Sequence, residues 1–131
     1  MAFDVEKEIK ILLIAGLIVL LVYGLWLFIS YESYYAILGT RPYFDPVTGR
    51  IVGGIFLSWA VITIRLIKIS DNWEKVEDWI RFTIMTDSLI FIAEIIGIVM
   101  YNTLSVGSII AMIIVLFFVI MGIHIIMQKR K

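Results

Sequence analysis

Four ionisable side chains lie within stretches that are otherwise apolar, and they are the first candidates for chemistry. They are Arg65, Asp87, Glu94 and His124. A charge at the bilayer centre costs about 2.5–3.5 kcal/mol, so such a residue usually faces a bundle interior and has a partner. Carboxylates and a histidine at these positions have the chemistry to bind a cation or relay protons, and an arginine can neutralise a carboxylate.

Seven-residue spacing places some of these side chains on common helix faces. Asp87 and Glu94 are seven residues apart and share one face. Ser58 and Arg65 share a face of another helix for the same reason. An Arg65–Asp87 ion pair would neutralise both groups and hold two helices together. The alternative is that Arg65 extends its guanidinium to the headgroups.

No catalytic signature accompanies these residues. The chain has no cysteine, which excludes a disulfide, a thiolate nucleophile and a CxxC redox pair. A single histidine excludes a haem held by two histidines of one chain. Neither a glycine-rich phosphate loop nor a GxSxG elbow is present. Because these signatures are missing, we expect no enzyme activity, metal or cofactor. Eleven basic and eleven acidic residues cancel, so we expect no nucleic-acid partner.

Composition assigns the chain to the membrane proteins. Hydrophobic residues make up 62% of its 131 residues and charged residues 17%, against about 45–50% and about 25% in soluble domains. The mean hydropathy is +1.04. Four apolar stretches, 9–29, 51–69, 82–101 and 104–127, each approach the roughly 20 residues that cross a bilayer as a helix. We predict an all-α, four-helix transmembrane bundle that forms a single domain over residues 1–131.

Counting residues from the ends of these spans sorts the polar side chains by depth. An inner tier, about 5–8 Å deep on the helical rise, comprises Arg65, Asp87 and His124. A middle tier comprises Tyr23, Ser58 and Glu94. Because no cation of this chain lies at the depth of Glu94, it either hydrogen-bonds to Tyr23 or Ser58 or meets a cation from a partner or substrate. For His124, an interfacial or hydrogen-bonded role is expected, with proton handling as the alternative.

Basic residues predict which ends of the spans face the cytoplasm. One side of the membrane holds Lys7, Lys10, Lys68, Lys75, Arg81, Lys129, Arg130 and Lys131. The other side holds only Arg41 and Arg50. The positive-inside rule therefore predicts a multi-pass protein of the plasma membrane with both termini in the cytoplasm. The same bias argues against a dual-topology antiparallel dimer.

The connections between the spans differ in composition. The outer loop at 30–50 is aromatic, and Tyr34, Tyr35 and Tyr43 predict an interfacial belt, with a lid over a lateral opening as the alternative. The segment 70–81 predicts a short amphipathic interfacial helix before the third span, anchored by Trp73 and Trp79. The third and fourth spans are joined so tightly that they must be antiparallel neighbours.

Small residues recur within three of the spans and favour close helix contacts. They are Gly16 and Gly24 in the first span, Gly53 and Gly54 in the second, and Ala93 and Gly97 in the third.

These features favour a small non-catalytic membrane protein that is an accessory or assembly subunit of a membrane complex, or a homo-oligomer. The chain is too small for a transporter built from internal repeats. We expect lipid and other membrane subunits, or further copies of the chain, as partners, and no small-molecule ligand can be named. The chain is rich in isoleucine and has no cysteine, a composition that is compatible with a prokaryotic source.

Two other functions remain open. One is a small proton- or cation-coupled transporter or channel with Glu94 as the gating carboxylate and Asp87 with His124 as an inner relay. The other, a membrane enzyme acting on lipid, rests only on the acidic and histidine residues and the aromatic loop.

Overall fold

The computed structural model describes residues 4–39 and 45–130, and these fold into five α-helices. The helices are α1 (Val5–Ile29), α2 (Tyr31–Leu38), α3 (Pro46–Ile67), α4 (Trp73–Tyr101) and α5 (Val106–Lys129). Four of them, α1, α3, α4 and α5, are long and apolar enough to cross a membrane. The predicted all-helical architecture with four apolar spans is confirmed. Three residues of the sequence argument, Arg41, Tyr43 and Lys131, lie outside the described residues.

The segment before the third span is helical but does not form a helix of its own. It is the first part of α4, which runs without interruption for 29 residues from Trp73 to Tyr101. No glycine or proline occurs between positions 73 and 96, so nothing in the sequence breaks the helix there. The polar lead-in and the apolar span are therefore one rigid element.

The aromatic outer loop contains a short helix, α2, that the sequence did not predict. Ser30 separates α1 from α2, and its hydroxyl lies 2.9 Å from that of Ser33. Trp26 Nε1 in turn donates a hydrogen bond to the Ser33 hydroxyl at 2.8 Å. α2 ends at Gly39, whose amide donates to the Tyr35 carbonyl. These contacts fold the loop back onto the end of α1.

Side-chain caps define where α3 begins. The Asp45 carboxylate accepts hydrogen bonds from the amides of Val47 and Thr48 at 3.0 and 3.2 Å, and from the Thr48 hydroxyl at 2.6 Å. Pro46 occupies the first turn, where its missing amide proton costs nothing. The bonds from Thr48 and Val47 hold the pKa of Asp45 below its usual value.

A tight connection joins α4 to α5. Asn102 ends α4 in the left-handed region, at φ 52°, a conformation that asparagine tolerates better than most residues. Ser105 and Ser108 then form a capping box at the start of α5. The two helices pack against each other, which confirms the predicted pairing of the third and fourth spans.

The packed core lies at the end of the bundle where α1 and α4 begin and α3 and α5 end. Its buried members are Ile9, Leu12, Leu13, Leu66, Val76, Ile80, Phe118 and Ile125. The main helix contacts run in the order α3–α1–α5–α4. In this row of helices, α3 and α4 are therefore the two end members.

Glycines bring α1 and α3 close together. A Cβ atom added at Gly53 would lie 2.6 Å from the Phe28 nitrogen and 2.9 Å from the Gly24 carbonyl oxygen. One added at Gly54 would make only an ordinary contact with the Phe28 ring, at 3.7 Å. The predicted close approach is thus confirmed for Gly24 and Gly53.

Candidate functional site

The side of the bundle between α3 and α4 is open. In the described part of the chain these two helices do not pack along each other, although each packs along another span. Four aromatic rings bridge the gap, and we call them the aromatic wall: Phe56 and Trp59 of α3, and Trp79 and Phe82 of α4. Successive ring centroids, from Phe56 to Trp59 to Phe82 to Trp79, are 5.9, 5.6 and 5.3 Å apart.

A cavity of about 150 Å³ lies inside this wall. All four long helices contribute to its lining, which is almost entirely apolar and includes Leu13 and Tyr23 of α1, and Val115 and Phe118 of α5. Among the described lining residues, Asp87 is the single charged side chain. The cavity therefore surrounds one carboxyl group with aliphatic and aromatic atoms.

Asp87 is partly buried and has no partner among residues 4–39 and 45–130. The ion pairs formed there are Glu32–Arg50, Glu77–Arg81 and a Glu8–His124 contact. The nearby Thr63 hydroxyl donates instead to the Trp59 carbonyl of its own helix, at 2.9 Å. A carboxyl group in this setting is costly unless something supplies the missing charge or hydrogen bond.

The expected Arg65–Asp87 ion pair does not form in the described structure. Thr63 is buried and lines the cavity, whereas Arg65, two residues further along α3, is exposed. Two residues advance a helix by about 200°, so Arg65 lies on the opposite face. Ser58 shares that outward face, and its hydroxyl donates to the Gly54 carbonyl at 3.0 Å.

Glu94 lies on the same face of α4 as Asp87, seven residues further along the helix and nearer to α2. It is partly buried. The Tyr34 ring lies 6.1 Å from that of Tyr23 and 5.4 Å from that of Trp26. Among the described residues, no hydrogen bond joins Glu94 to Tyr23 or Ser58. Burial, aided by the charges of Tyr23 and Glu94, raises the pKa of Tyr34 to about 12.

His124 does not join Arg65 and Asp87. Its Nε2 lies 3.6 Å from Oε2 of Glu8, and it also contacts the Gln128 side chain. Glu8 is buried, and its Oε2 makes no hydrogen bond within the described residues. The sequence analysis did not single out Glu8. It lies four residues before the buried Leu12, on the inward face of α1. No signal in the sequence marked that face as the inward one.

The interfacial aromatic candidates separate into three groups. Trp79 belongs to the aromatic wall and lines the cavity. Trp73 lies near the end of α5, with Lys129 Nζ 5.9 Å from its ring centroid. Tyr34 and Tyr35 lie on α2 and pack against Tyr31, with centroid distances of 6.2 and 6.1 Å.

Sequence reasoning also missed three members of the aromatic wall. Phe56, Trp59 and Phe82 were not distinguished from other apolar residues of their spans. Their spacing held a signal, because Phe56 and Trp59 are three residues apart, as are Trp79 and Phe82, and each pair therefore occupies one helix face.

Comparisons with protein-family models, curated proteins and solved structures find no match. Residues 4–39 and 45–130 hold no group of three or more His, Cys, Asp or Glu side chains arranged to bind a metal ion. The chemistry available at the cavity is that of one carboxylate, several hydroxyl groups and aromatic ring faces. That set suits recognition of a cation or another helix.

Proposed function

We propose that the protein is a small non-catalytic membrane protein that works as an accessory subunit of a membrane complex or as a homo-oligomer. The observation that carries this proposal is the uneven burial of α4. The structure describes every residue of this helix, yet its only buried residues are Val76 and Ile80 in the first turns. The remaining turns, roughly six at 3.6 residues each, leave side chains such as Val99, 77% exposed, uncovered by their own chain.

The small residues of α4 supply a docking stripe. Ala93 and Gly97, four residues apart toward the C-terminal end of α4, form this stripe and lie beyond the residues that line the cavity. Ala93 is exposed, and a Cβ atom added at Gly97 would meet only the Thr103 hydroxyl, at 3.0 Å. A second helix can therefore approach α4 closely at Ala93 and Gly97, in the manner of small-xxx-small contacts.

The proposed location is the plasma membrane of a prokaryotic cell, with both termini in the cytoplasm. The structure brings the lysine-rich helix ends to one end of the bundle. The residues concerned are Lys7 and Lys10 in α1, Lys68 after α3, Lys75 in α4 and Lys129 in α5. Positive charge on one side of the spans supports an inward orientation of that end. It also supports an interfacial position for the polar first turns of α4.

The test is native mass spectrometry after gentle extraction from the source membrane. We expect 15.1 kDa chains to be released together with other polypeptides or with further copies of themselves. Ala93→Leu places bulk on the docking stripe and should weaken association about tenfold. Ser58→Leu adds the same bulk to the outward face of α3 and is the matched control. A wild-type protein that is monomeric and unaccompanied would contradict the proposal.

A second candidate function is proton- or cation-coupled transport. The observation in its favour is that Asp87 and Glu94 share one inward face, with Asp87 in the cavity and neither paired to a cation among the described residues. In proteoliposomes, Asp87→Asn and Glu94→Gln should each lower cation flux about tenfold or more. The exposed Asp71→Asn is the control, and flux that neither membrane substitution alters would exclude this mechanism.

A further inference from the structure

The cavity has the chemistry of a binding site for an organic cation. Its walls are apolar, and Asp87 supplies the single charge among the described lining residues. Because this carboxyl group lacks a cation and a hydrogen-bond donor within residues 4–39 and 45–130, it is free to take either from a ligand. The carboxyl group therefore favours a positively charged ligand, and the apolar walls favour a ligand whose remaining part is apolar.

The donor set argues against Ca²⁺ or Mg²⁺ as the preferred occupant. Ca²⁺ and Mg²⁺ take about six or more oxygen ligands. The cavity offers one carboxylate together with the hydroxyls of Tyr23 and three threonines, and the Thr63 hydroxyl is already engaged with the Trp59 carbonyl. An alkylated ammonium needs no such shell, since it can be held by one carboxylate and by aromatic faces.

The aromatic wall provides those faces. Trp59 and Trp79 both line the cavity and are connected through the Phe82 ring, at centroid distances of 5.6 and 5.3 Å. The face of a tryptophan is the best aromatic partner for a cation, and the interaction strengthens when water is excluded. A carboxylate and two tryptophans on one cavity thus favour the same kind of group.

The open side between α3 and α4 gives this site an entrance. At that level the two helices contact each other through side chains of the aromatic wall rather than through closely packed backbones. Ring rotation can therefore admit a ligand from the lipid phase without breaking a close backbone contact between the two helices. The route selects molecules that dissolve in a membrane.

We propose that this cavity binds a small lipophilic cation, a protonated amine or quaternary ammonium, with its charge at Asp87 and its apolar body against the aromatic wall. The cavity volume of about 150 Å³ sets the size of the apolar part of this ligand. An engineered cavity of about that volume holds one benzene ring. The cavity belongs to a single chain, so ligand binding does not depend on the assembly proposed above.

The experiment is calorimetric titration of the full chain in detergent with benzyltrimethylammonium. Neopentylbenzene has the same shape without the charge, and tetramethylammonium has the charge without the ring. We expect the wild-type protein to bind benzyltrimethylammonium about tenfold or more tightly than either comparison compound. Neopentylbenzene loses the charge contact with Asp87 and the aromatic rings, and tetramethylammonium loses the burial of the benzyl ring.

Two variants locate the site. Asp87→Asn keeps the shape of the side chain and should abolish the preference for benzyltrimethylammonium over neopentylbenzene, while circular dichroism reports that the helices are intact. Asp78→Asn removes an exposed carboxylate of the same helix and should bind as the wild type does. Equal affinity for charged and neutral compounds in the wild type would overturn the proposal. Retention of the preference in Asp87→Asn, or tetramethylammonium binding as tightly as benzyltrimethylammonium, would overturn it too.

Discussion

The two sides of α3 are built in different ways. Toward α1, Gly53 faces Gly24 across a contact so close that an added Cβ atom would lie under 3 Å from backbone atoms. Toward α4, the contact in the middle of the helix is made by large rings, with Trp59 against Phe82. Backbone contacts between glycines cannot yield without moving whole helices, whereas ring contacts can rearrange through side-chain rotation. The bundle thus combines a fixed side with a side that can open.

The two sides also differ in how their polar groups are satisfied. On the fixed side, the outer end of α1 and α2 forms a chain of hydrogen bonds through Trp26, Ser30 and Ser33. On the open side, Asp87 lies beside a cavity with no partner among the described residues. An unsatisfied carboxyl group lowers stability, so folding alone does not account for its presence beside the opening.

The largest expected effect is on the fixed side. Gly53→Ala should lower the free energy of unfolding by about 1–3 kcal/mol, because the new methyl group would overlap the backbone of α1. Gly54→Ala is the matched control, since its methyl group meets only the edge of the Phe28 ring at 3.7 Å. Unfolding of both variants by denaturant in mixed micelles measures the difference. Equal stability of the two variants would show that α1 and α3 are not tightly packed.

An opposite sign is expected on the open side. Asp87→Leu should raise the free energy of unfolding by about 1–2 kcal/mol, because it removes an unpaired carboxyl group and fills part of the cavity. Asp78→Leu, at an exposed position of the same helix, should change stability by less than about 0.5 kcal/mol. The same unfolding assay applies. Destabilisation by Asp87→Leu would reveal a partner for Asp87 and remove the contrast between the two sides.

The effect that is smallest near neutral pH is a pH dependence at the outer end of the fixed side. Burial raises the pKa of Tyr34 to about 12 from an ordinary value of 10.0. Because the folded state favours the neutral phenol, the associated stability is complete below pH 10 and is lost as the pH rises through about 12. The difference in tyrosinate absorbance between wild type and Tyr34→Phe isolates this group. A difference curve with its midpoint near 10 would show that Tyr34 is exposed.

The sequence predicted the elements better than their orientation. Length and hydropathy were sufficient for four spans, and the tight connection near Asn102 was sufficient for the α4–α5 pairing. The eight-residue α2 escaped prediction because it is too short for a hydropathy signal. Small residues indicated the Gly24–Gly53 contact, but the same pattern at Ala93 and Gly97 has no partner helix in the described chain.

The candidate site could be predicted only in part, for a physical reason. Seven-residue spacing correctly groups Asp87 with Glu94, and Arg65 with Ser58, but spacing does not say which face turns inward. In a soluble helix the apolar face identifies the core. In a membrane helix the outward face is apolar as well, so the sequence gives no such reference, and Arg65 was expected to face inward when it faces outward.

Spin-label distances in lipid nanodiscs show most directly whether α3 is fixed to α1 and free to move against α4. The chain has no cysteine, so labels attach only at introduced sites. Ile62→Cys on α3 is combined with Ile14→Cys on α1 or with Met85→Cys on α4, all exposed positions. We expect the α1–α3 distance distribution to be narrow and unchanged by benzyltrimethylammonium, and the α3–α4 distribution to be broader and to shift when the compound binds. Two equally narrow distributions, both unaffected by saturating benzyltrimethylammonium, would show that α3 is held as firmly against α4 as against α1.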